Sequence, residues 1–249
     1  MLATAQPAEK AALSRSVAEA WRAGQLPLAP LAPTPDRPAR PAAPELVAPT
    51  SVPRRKINRG TAGRVALLHA IAHIEFNAID LAWDLVARFG DPKLPREFFD
   101  DWVRVADEEA LHFGLVSARL AELGAAYGDF PAHVGLWEAA EDTKGDFLAR
   151  LAVVPMVLEA RGLDVTPAMI AKLRSVDDEA SALVLDRIYT DEITHVAAGR
   201  RWFQFEADRQ GLSPAAIWPG LVSRHFKGQL KPPFNLPARE MAGMTAFTP

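Results

Sequence analysis

Two Glu-x-x-His motifs are the residues of this sequence whose types and spacing could do chemistry. They pair Glu109 with His112, and Glu192 with His195. In a helix, side chains three residues apart project from nearly the same face, so each motif presents a carboxylate and an imidazole together. Apolar residues surround Glu192 at helical spacing, and a carboxylate buried among them would cost several kcal/mol unless it were paired. A bound cation is one form of compensation.

Each motif is preceded by a predicted helix that carries one glutamate on its apolar face. Glu75 lies 34 residues before Glu109, and Glu159 lies 33 residues before Glu192. The two halves of the chain therefore repeat one pattern. One Glu from each of two helices, with Glu-x-x-His from each of two others, is the ligand set of di-iron and di-manganese carboxylate proteins. The sequence predicts six metal ligands: Glu75, Glu109, His112, Glu159, Glu192 and His195.

On these residues the chain resembles the ferritin-like superfamily over roughly residues 62–210. More narrowly, it resembles an uncharacterised bacterial ferritin-like family known only as a domain of unknown function. It is distantly similar to the di-iron tRNA hydroxylase. The resemblance implies an all-α fold, with an antiparallel four-helix bundle that has one long crossover.

Carboxylates and neutral imidazoles suit iron and manganese, and zinc would also bind. We therefore expect two metal ions, with iron first. We expect Glu109 or Glu192 to bridge the metals, while His112 and His195 each bind one of them. Without metal, neighbouring like charges should raise the pKa values of the carboxyl groups.

Acidic residues precede both motif glutamates, at Glu108 and Asp191. Histidine ligands usually donate their second N–H to a carboxylate. The resemblance implies that Asp191 bonds His112 and that Glu108 bonds His195; two ordinary solvated acids are the alternative. Tyr189 lies three residues before Glu192, where we expect it to pack or to hydrogen-bond near a ligand.

Two other histidines, His69 and His73, form an i, i+4 pair in the first long helix. His73 lies about 200° around that helix from Glu75. We therefore expect a capping or partner-facing role rather than metal ligation.

Composition narrows the class of protein further. A chain of 249 residues suits one main domain with extensions. The formal charge of −3 gives no general attraction to nucleic acid or anionic membranes. The absence of cysteine excludes disulfides, thiolate zinc sites and rubredoxin-type iron centres. We see neither a signal-peptide pattern nor an 18-residue apolar run, so a cytoplasmic location without a membrane span is expected.

The predicted elements place the motifs on long helices. Residues 26–53 are dense in proline, which favours an extended surface arm or linker, or an arm wrapped over the bundle or a neighbouring subunit. Basic residues at 54–59 suggest a solvated lead-in, with anion or RNA contact as the weaker alternative. We divide the chain into residues 1–60 (helix and arm), 61–211 (bundle) and 212–249 (helix and extended tail). Helices are predicted at residues 8–23, 62–89, 95–123, 133–142, 144–162, 166–175, 178–210 and 214–226.

Two details of this layout bear on the site. Glu75 and Glu109 are almost equidistant from the turn at residues 90–94, so an antiparallel hairpin should bring them to the same level. Pro155 lies one turn before Glu159 and should kink that helix or start a new segment.

The leading hypothesis is an oxidoreductase that activates dioxygen or peroxide at a di-iron or manganese–iron centre. It would act, as a hydroxylase does, on a small organic molecule or a modified base, and it would need an electron donor. A homodimer is compatible with the extensions, and nucleic acid is not an expected partner. The alternatives are ferroxidase activity or iron handling, and a structural bundle with a vestigial metal site.

Overall fold

The long elements of the structure are helices formed by apolar residues at helical spacing. The structure is a computed structural model that describes residues 1–28, 33–48, 57–133 and 135–248. Throughout these residues the regular secondary structure is helical, apart from one isolated parallel bridge between Leu46 and Ala132. The prediction of an all-α protein is therefore confirmed. Residues 29–32 and 49–53 of the predicted arm, and 54–56 of the basic run, lie outside the described residues.

The chain forms two compact units. The first comprises Met1–Trp137 and Lys172–Val184, and the second comprises Glu138–Ala171 and Leu185–Pro249. The metal-ligand residues predicted from the first motif belong to the first unit, and those predicted from the second motif belong to the second.

Three helices make up most of the first unit: α1 (Pro7–Arg22), α2 (Thr61–Phe89) and α3 (Arg96–Glu122). Helices α2 and α3 pack against each other and are joined by a short turn, so they form an antiparallel hairpin. Gly90 begins that turn. A Cβ at Gly90 would lie 2.3 Å from the carbonyl oxygen of Val86 and 2.8 Å from Phe99 Cε1. Only glycine lets the chain leave α2 this tightly.

Helix α1 packs on the hairpin, and buried polar contacts fix it there. Lys10 Nζ lies 2.5 and 2.6 Å from the two carboxylate oxygens of Asp80 on α2, with both side chains fully buried. Ser14 donates to the carbonyl oxygen of Ala106 on α3 and accepts a 2.7 Å hydrogen bond from Trp83 Nε1 on α2. These contacts connect all three helices.

The crossover contains the predicted short helix, α4 (Gly135–Asp142), after which the second unit follows a different course from the prediction. Helix α5 (Phe147–Val153) begins at Asp146, whose carboxylate accepts a 2.9 Å bond from Ala149 N. It passes through a π-helical segment (Val154–Glu159) into α6 (Ala160–Arg174).

The predicted helix end at Gly162 is wrong, as is the predicted new helix at Thr166. Pro167 lies inside α6 and lacks the N–H that would bond the carbonyl oxygen of Leu163. Asn235 supplies the missing donor, because its Nδ2 lies 3.0 Å from that oxygen. The helix therefore continues through a proline that would otherwise interrupt it.

A π-helical segment begins at Pro155 and its preceding residue. The N–H of Ala160 bonds the carbonyl oxygen of Pro155, five residues earlier, instead of the usual four. The expected disturbance at Pro155 is thus accommodated by one wider turn, which ends at Glu159.

Helix α7 (Glu179–Arg209) and helix α8 (Pro214–His225) agree with the predictions. Gly211, with φ +69°, separates them. The prediction of an extended tail is wrong from residue 236, where α9 (Leu236–Met241) begins, and a 3₁₀ turn follows at Thr245–Phe247. Asn235 caps α9, and Arg239 fastens it by two 2.8 Å bonds to Asp164.

One described helix, α2, is long and apolar enough by composition to cross a membrane. However, 83% of its most apolar 18-residue window is buried inside the protein. That burial is typical of a core helix.

Candidate metal centre

Three predicted ligands meet in the α2–α3 hairpin. Glu75 projects from α2, and Glu109 and His112 project from α3; all three side chains are buried. Their ligand atoms lie within 4.8 Å of one another. His112 Nδ1 is 3.4 Å from Glu75 Oε2 and 3.5 Å from Glu109 Oε2. The predicted register of the hairpin is therefore confirmed: Glu75 and Glu109 lie at the same level.

Buried apolar residues surround Glu75 on its face of α2. Residues one and two turns from Glu75 along α2 are buried, as the helical spacing predicted, and they exclude water from the carboxylate: Leu68, Ile71, Ala72, Ala78, Ile79 and Ala82.

The electrostatics of this group favour a cation. Burial raises the pKa of Glu75 well above its ordinary range, and the neighbouring Glu109 carboxylate raises it further, whereas His112 opposes the shift. Glu75 Oε2 lies out of reach of water and has no hydrogen bond of good geometry among the described residues. Two carboxylates and one imidazole within a few ångströms are oxygen and nitrogen donors that suit a divalent metal ion. The group could therefore bind one.

A second pair of predicted ligands lies on α7, in the second unit. His195 Nδ1 is 3.6 Å from Glu192 Oε2, which confirms that the two residues share a helix face. His195 is buried, and 12% of the Glu192 side chain is exposed. Leu185 and Val196, predicted on the same face, are buried as well.

Glu159, the remaining predicted ligand, is the last residue of the π-helical segment. It is half-buried and belongs to the same unit as Glu192 and His195. The sequence predicts Glu159 on a helix that Pro155 kinks or restarts, and the structure has a π-helical turn at that place. Its side-chain direction depends on the wider turn that precedes it.

The residues predicted to support the ligands have identifiable partners. Arg104 Nη1 lies 3.0 Å from Glu108 Oε2, and Arg187 Nε lies 2.6 Å from Asp191 Oδ2. Hydrogen bonds from the motif histidines to these two carboxylates stay a prediction. Tyr189 OH accepts a 2.9 Å bond from Asn235 Nδ2, in agreement with the expectation that it would hydrogen-bond.

Sequence reasoning missed a polar cluster on the opposite side of α2. Nε2 of His73 is 2.9 Å from the carbonyl oxygen of His133, so that nitrogen carries the proton, and Nδ1 accepts a 2.9 Å bond from Tyr127 OH. Burial lowers the pKa of His73 to about 4. His69 Nε2 accepts from Gly128 N. The pair therefore holds the 127–133 segment on α2, a role whose only sequence signal was the i, i+4 spacing.

The helices and this site define the class of the chain: an all-helical protein with a buried group of glutamates and histidine that could bind a metal ion. More particularly, the chain belongs to the family described as "Protein of unknown function (DUF455)", which matches residues 3–248. It is also similar to an uncharacterized protein of Haemophilus influenzae, with 44% identity over 211 residues that cover 81% of this chain and 72% of the relative. No solved structure matches the chain.

Proposed function

We propose that this chain is a dinuclear metal carboxylate protein of ferritin-like architecture. In this proposal, one centre with two metal ions is bound by the group on the α2–α3 hairpin together with the second group: Glu75, Glu109 and His112, with Glu159, Glu192 and His195. The proposal to combine the groups rests on the repeated motif and on the nearly equal 34- and 33-residue spacings. The hairpin group is the observation that carries it.

The hairpin group supports a metal site because its two carboxylates are buried next to each other, which is energetically unfavourable for their charged forms. A buried carboxylate beside another is unfavourable unless a proton or a cation compensates its charge. Burial and the Glu109 carboxylate raise the pKa of Glu75, so its charged form is unfavourable unless a cation accompanies it. A metal ion would compensate both carboxylates at once, and His112 would add a nitrogen ligand.

The donor set points to redox-active metals. Carboxylates with imidazole, and no thiolate, suit iron and manganese, while zinc also binds such sites. Two reduced metal ions of this kind supply electrons to dioxygen or peroxide when they are bound. The chain's own residues would fix the positions of the metals, and the apolar residues around Glu75 would exclude water from them.

We therefore propose an oxidoreductase of the hydroxylase kind, with a small organic molecule or a modified base as substrate and a separate electron donor. A cytoplasmic location is part of this proposal. Iron handling is the competing function, and it predicts a large hollow assembly instead of a monomer or dimer.

The first test is metal content after anaerobic loading with iron(II), removal of free metal and elemental analysis. Wild-type protein should retain about two metal ions per chain. His112→Ala and Glu192→Ala should each lose most of that metal while remaining folded. Glu97→Ala, an exposed glutamate on the same helix as His112, and His225→Ala are matched controls that should retain two.

Each result has a clear reading. Wild-type protein that retains no iron, manganese or zinc would refute the metal centre. Full metal content in the His112 and Glu192 variants would show that the ligands are misassigned. Iron(II) oxidation that deposits mineral inside a large assembly would favour iron handling over hydroxylation.

A further inference from the structure

Gly199 and Pro155 meet in an unusually close contact within the second unit. A Cβ placed on Gly199 would lie 2.3 Å from Pro155 Cβ and 2.4 Å from its Cγ. Carbon atoms in ordinary contact are about 3.5–4.0 Å apart. The backbone of α7 therefore lies directly against the proline ring, at a distance that only glycine permits.

The contact joins the two elements that carry the predicted ligands of this unit. Gly199 is four residues after His195 and seven after Glu192 on α7, so it lies on the same helix face as both. Pro155 is the second residue of the π-helical segment, whose last residue is Glu159. One backbone contact therefore connects the element that holds one carboxylate with the helix face that holds the other.

The π-helical turn determines where Glu159 points. A regular helix turns about 100° per residue, and one extra residue in a turn rotates everything after it by about that angle. Pro155 has no N–H with which to form the regular helical bond to the residue four positions earlier, and its ring is bonded to the backbone at two atoms. Its ring also cannot rotate away from α7 as a flexible side chain would.

We propose that Gly199 is a positioning residue: its contact with Pro155 holds the π-helical segment at the distance from α7 that lets Glu159 bind the same metal as Glu192 and His195. This inference rests on the proposed function, in which Glu159 is a ligand. It goes further by assigning a metal-dependent role to a glycine that has no ligand atom of its own.

The experiment compares metal binding by variants of the full chain, with iron(II) and cobalt(II) as the probes. Gly199→Ala should weaken binding of one metal equivalent by about 10- to 100-fold, and Glu159→Ala should weaken the same equivalent at least as much. The cobalt(II) visible absorption should change in the same way in both variants, because both lose a carboxylate ligand. Gly162→Ala is the matched control. It is a helical glycine three residues from Glu159, a Cβ there meets nothing within 4 Å, and both equivalents should bind normally.

A second variant protects the test against misfolding. Pro155→Ala restores an N–H and opens the ring, so the segment can return to regular helical spacing and rotate Glu159 away. It should lose the same equivalent while the melting temperature of the metal-free protein shows that it is folded. If Gly199→Ala fails to fold, Pro155→Ala decides the question.

The outcomes separate this inference from the proposed function. If wild type and a folded Gly199→Ala both bind two metal ions normally, the positioning role is overturned and the metal centre stands. If Gly199→Ala does not fold, normal binding of two metal ions by Pro155→Ala has the same meaning. Wild-type protein that binds no metal would overturn both. Loss of one equivalent in Gly199→Ala, with Gly162→Ala unchanged, supports the positioning role.

Discussion

Replacement of Glu75 by glutamine should change stability in opposite directions in the metal-free and metal-loaded proteins. Without metal, Glu75 lies buried against Glu109, and both burial and that neighbouring charge raise its pKa. Glutamine has the same shape but no charge, and its amide can donate to Glu109. The metal-free variant should therefore be more stable than wild type at pH 7, by about 1 kcal/mol, as when other buried charges are replaced.

With metal, the order should reverse. A ligand at 100 times its dissociation constant stabilises the folded state by about 2.7 kcal/mol. In a chain of this length that corresponds to a rise in melting temperature of roughly 5–10 °C. Glu75→Gln removes one carboxylate ligand, so most of this metal-dependent rise should be lost.

The same variant has a defined pH signature. The folded-state pKa of Glu75 lies above its ordinary value of 4.5. Between these two pH values the folded protein therefore holds more protons than the unfolded chain. The stability contributed by this carboxyl group is present below pH 4.5 and is lost as the pH rises through the folded-state pKa. Glu75→Gln should remove that decline in the metal-free protein.

Thermal unfolding with and without iron(II), across a pH series, measures all three effects. A metal-free variant less stable than wild type would show that Glu75 stabilises the fold as an ordinary buried polar group. A metal-dependent rise equal to that of wild type would exclude Glu75 as a ligand. Either result refutes the reasoning, and each refutes a different part of it.

Two further predictions concern the framework. Asp80→Asn leaves the Lys10 ammonium group buried without its carboxylate, and should lower the free energy of unfolding by about 3–5 kcal/mol in chemical denaturation. Asp80→Leu combined with Lys10→Met should recover most of that loss. A double variant as unstable as Asp80→Asn would contradict the explanation. Asn235→Ala removes the cap of α9 and the donor to the α6 carbonyl, and should cost about 1–2 kcal/mol. Asn58→Ala removes an exposed side chain that accepts the N–H of Gly60, and should cost less than about 0.5 kcal/mol. Equal losses in the two asparagine variants would show that the α6 contact adds nothing.

The hairpin could be predicted from sequence because its determinants are local. Apolar periodicity defines α2 and α3, and Gly90 marks the turn between them. The equal distances of Glu75 and Glu109 from that turn then specify their register. Every step uses residues close together in the chain, so the ligand group of the first unit followed without any tertiary information.

The course of α6 could not be predicted, because its determinant is distant in sequence. Gly162 and Pro167 are local signals for a helix end. Asn235, 72 residues beyond Leu163, supplies the hydrogen bond that lets the helix continue. The same asparagine caps α9. One residue, Asn235, therefore explains both the wrong prediction of a helix end at Gly162 and the failure to predict α9.

The two proline positions in the 147–174 stretch show how this difference affects the site. Pro167 lost a backbone hydrogen bond that a side chain replaced, so α6 kept its regular geometry around it. At Pro155 the backbone itself changes: it forms a π-helical turn that ends at Glu159 and rotates the residues after the extra one. When a side chain replaces the missing hydrogen bond, the same residues still share a helix face. When the backbone forms a π-helical turn instead, the residues after it move to a different face. The hairpin ligands depend only on regular helices, whereas Glu159 depends on that turn and on the glycine packed against it. Substitutions near Pro155 should therefore affect the second group of ligands and leave the hairpin group unchanged.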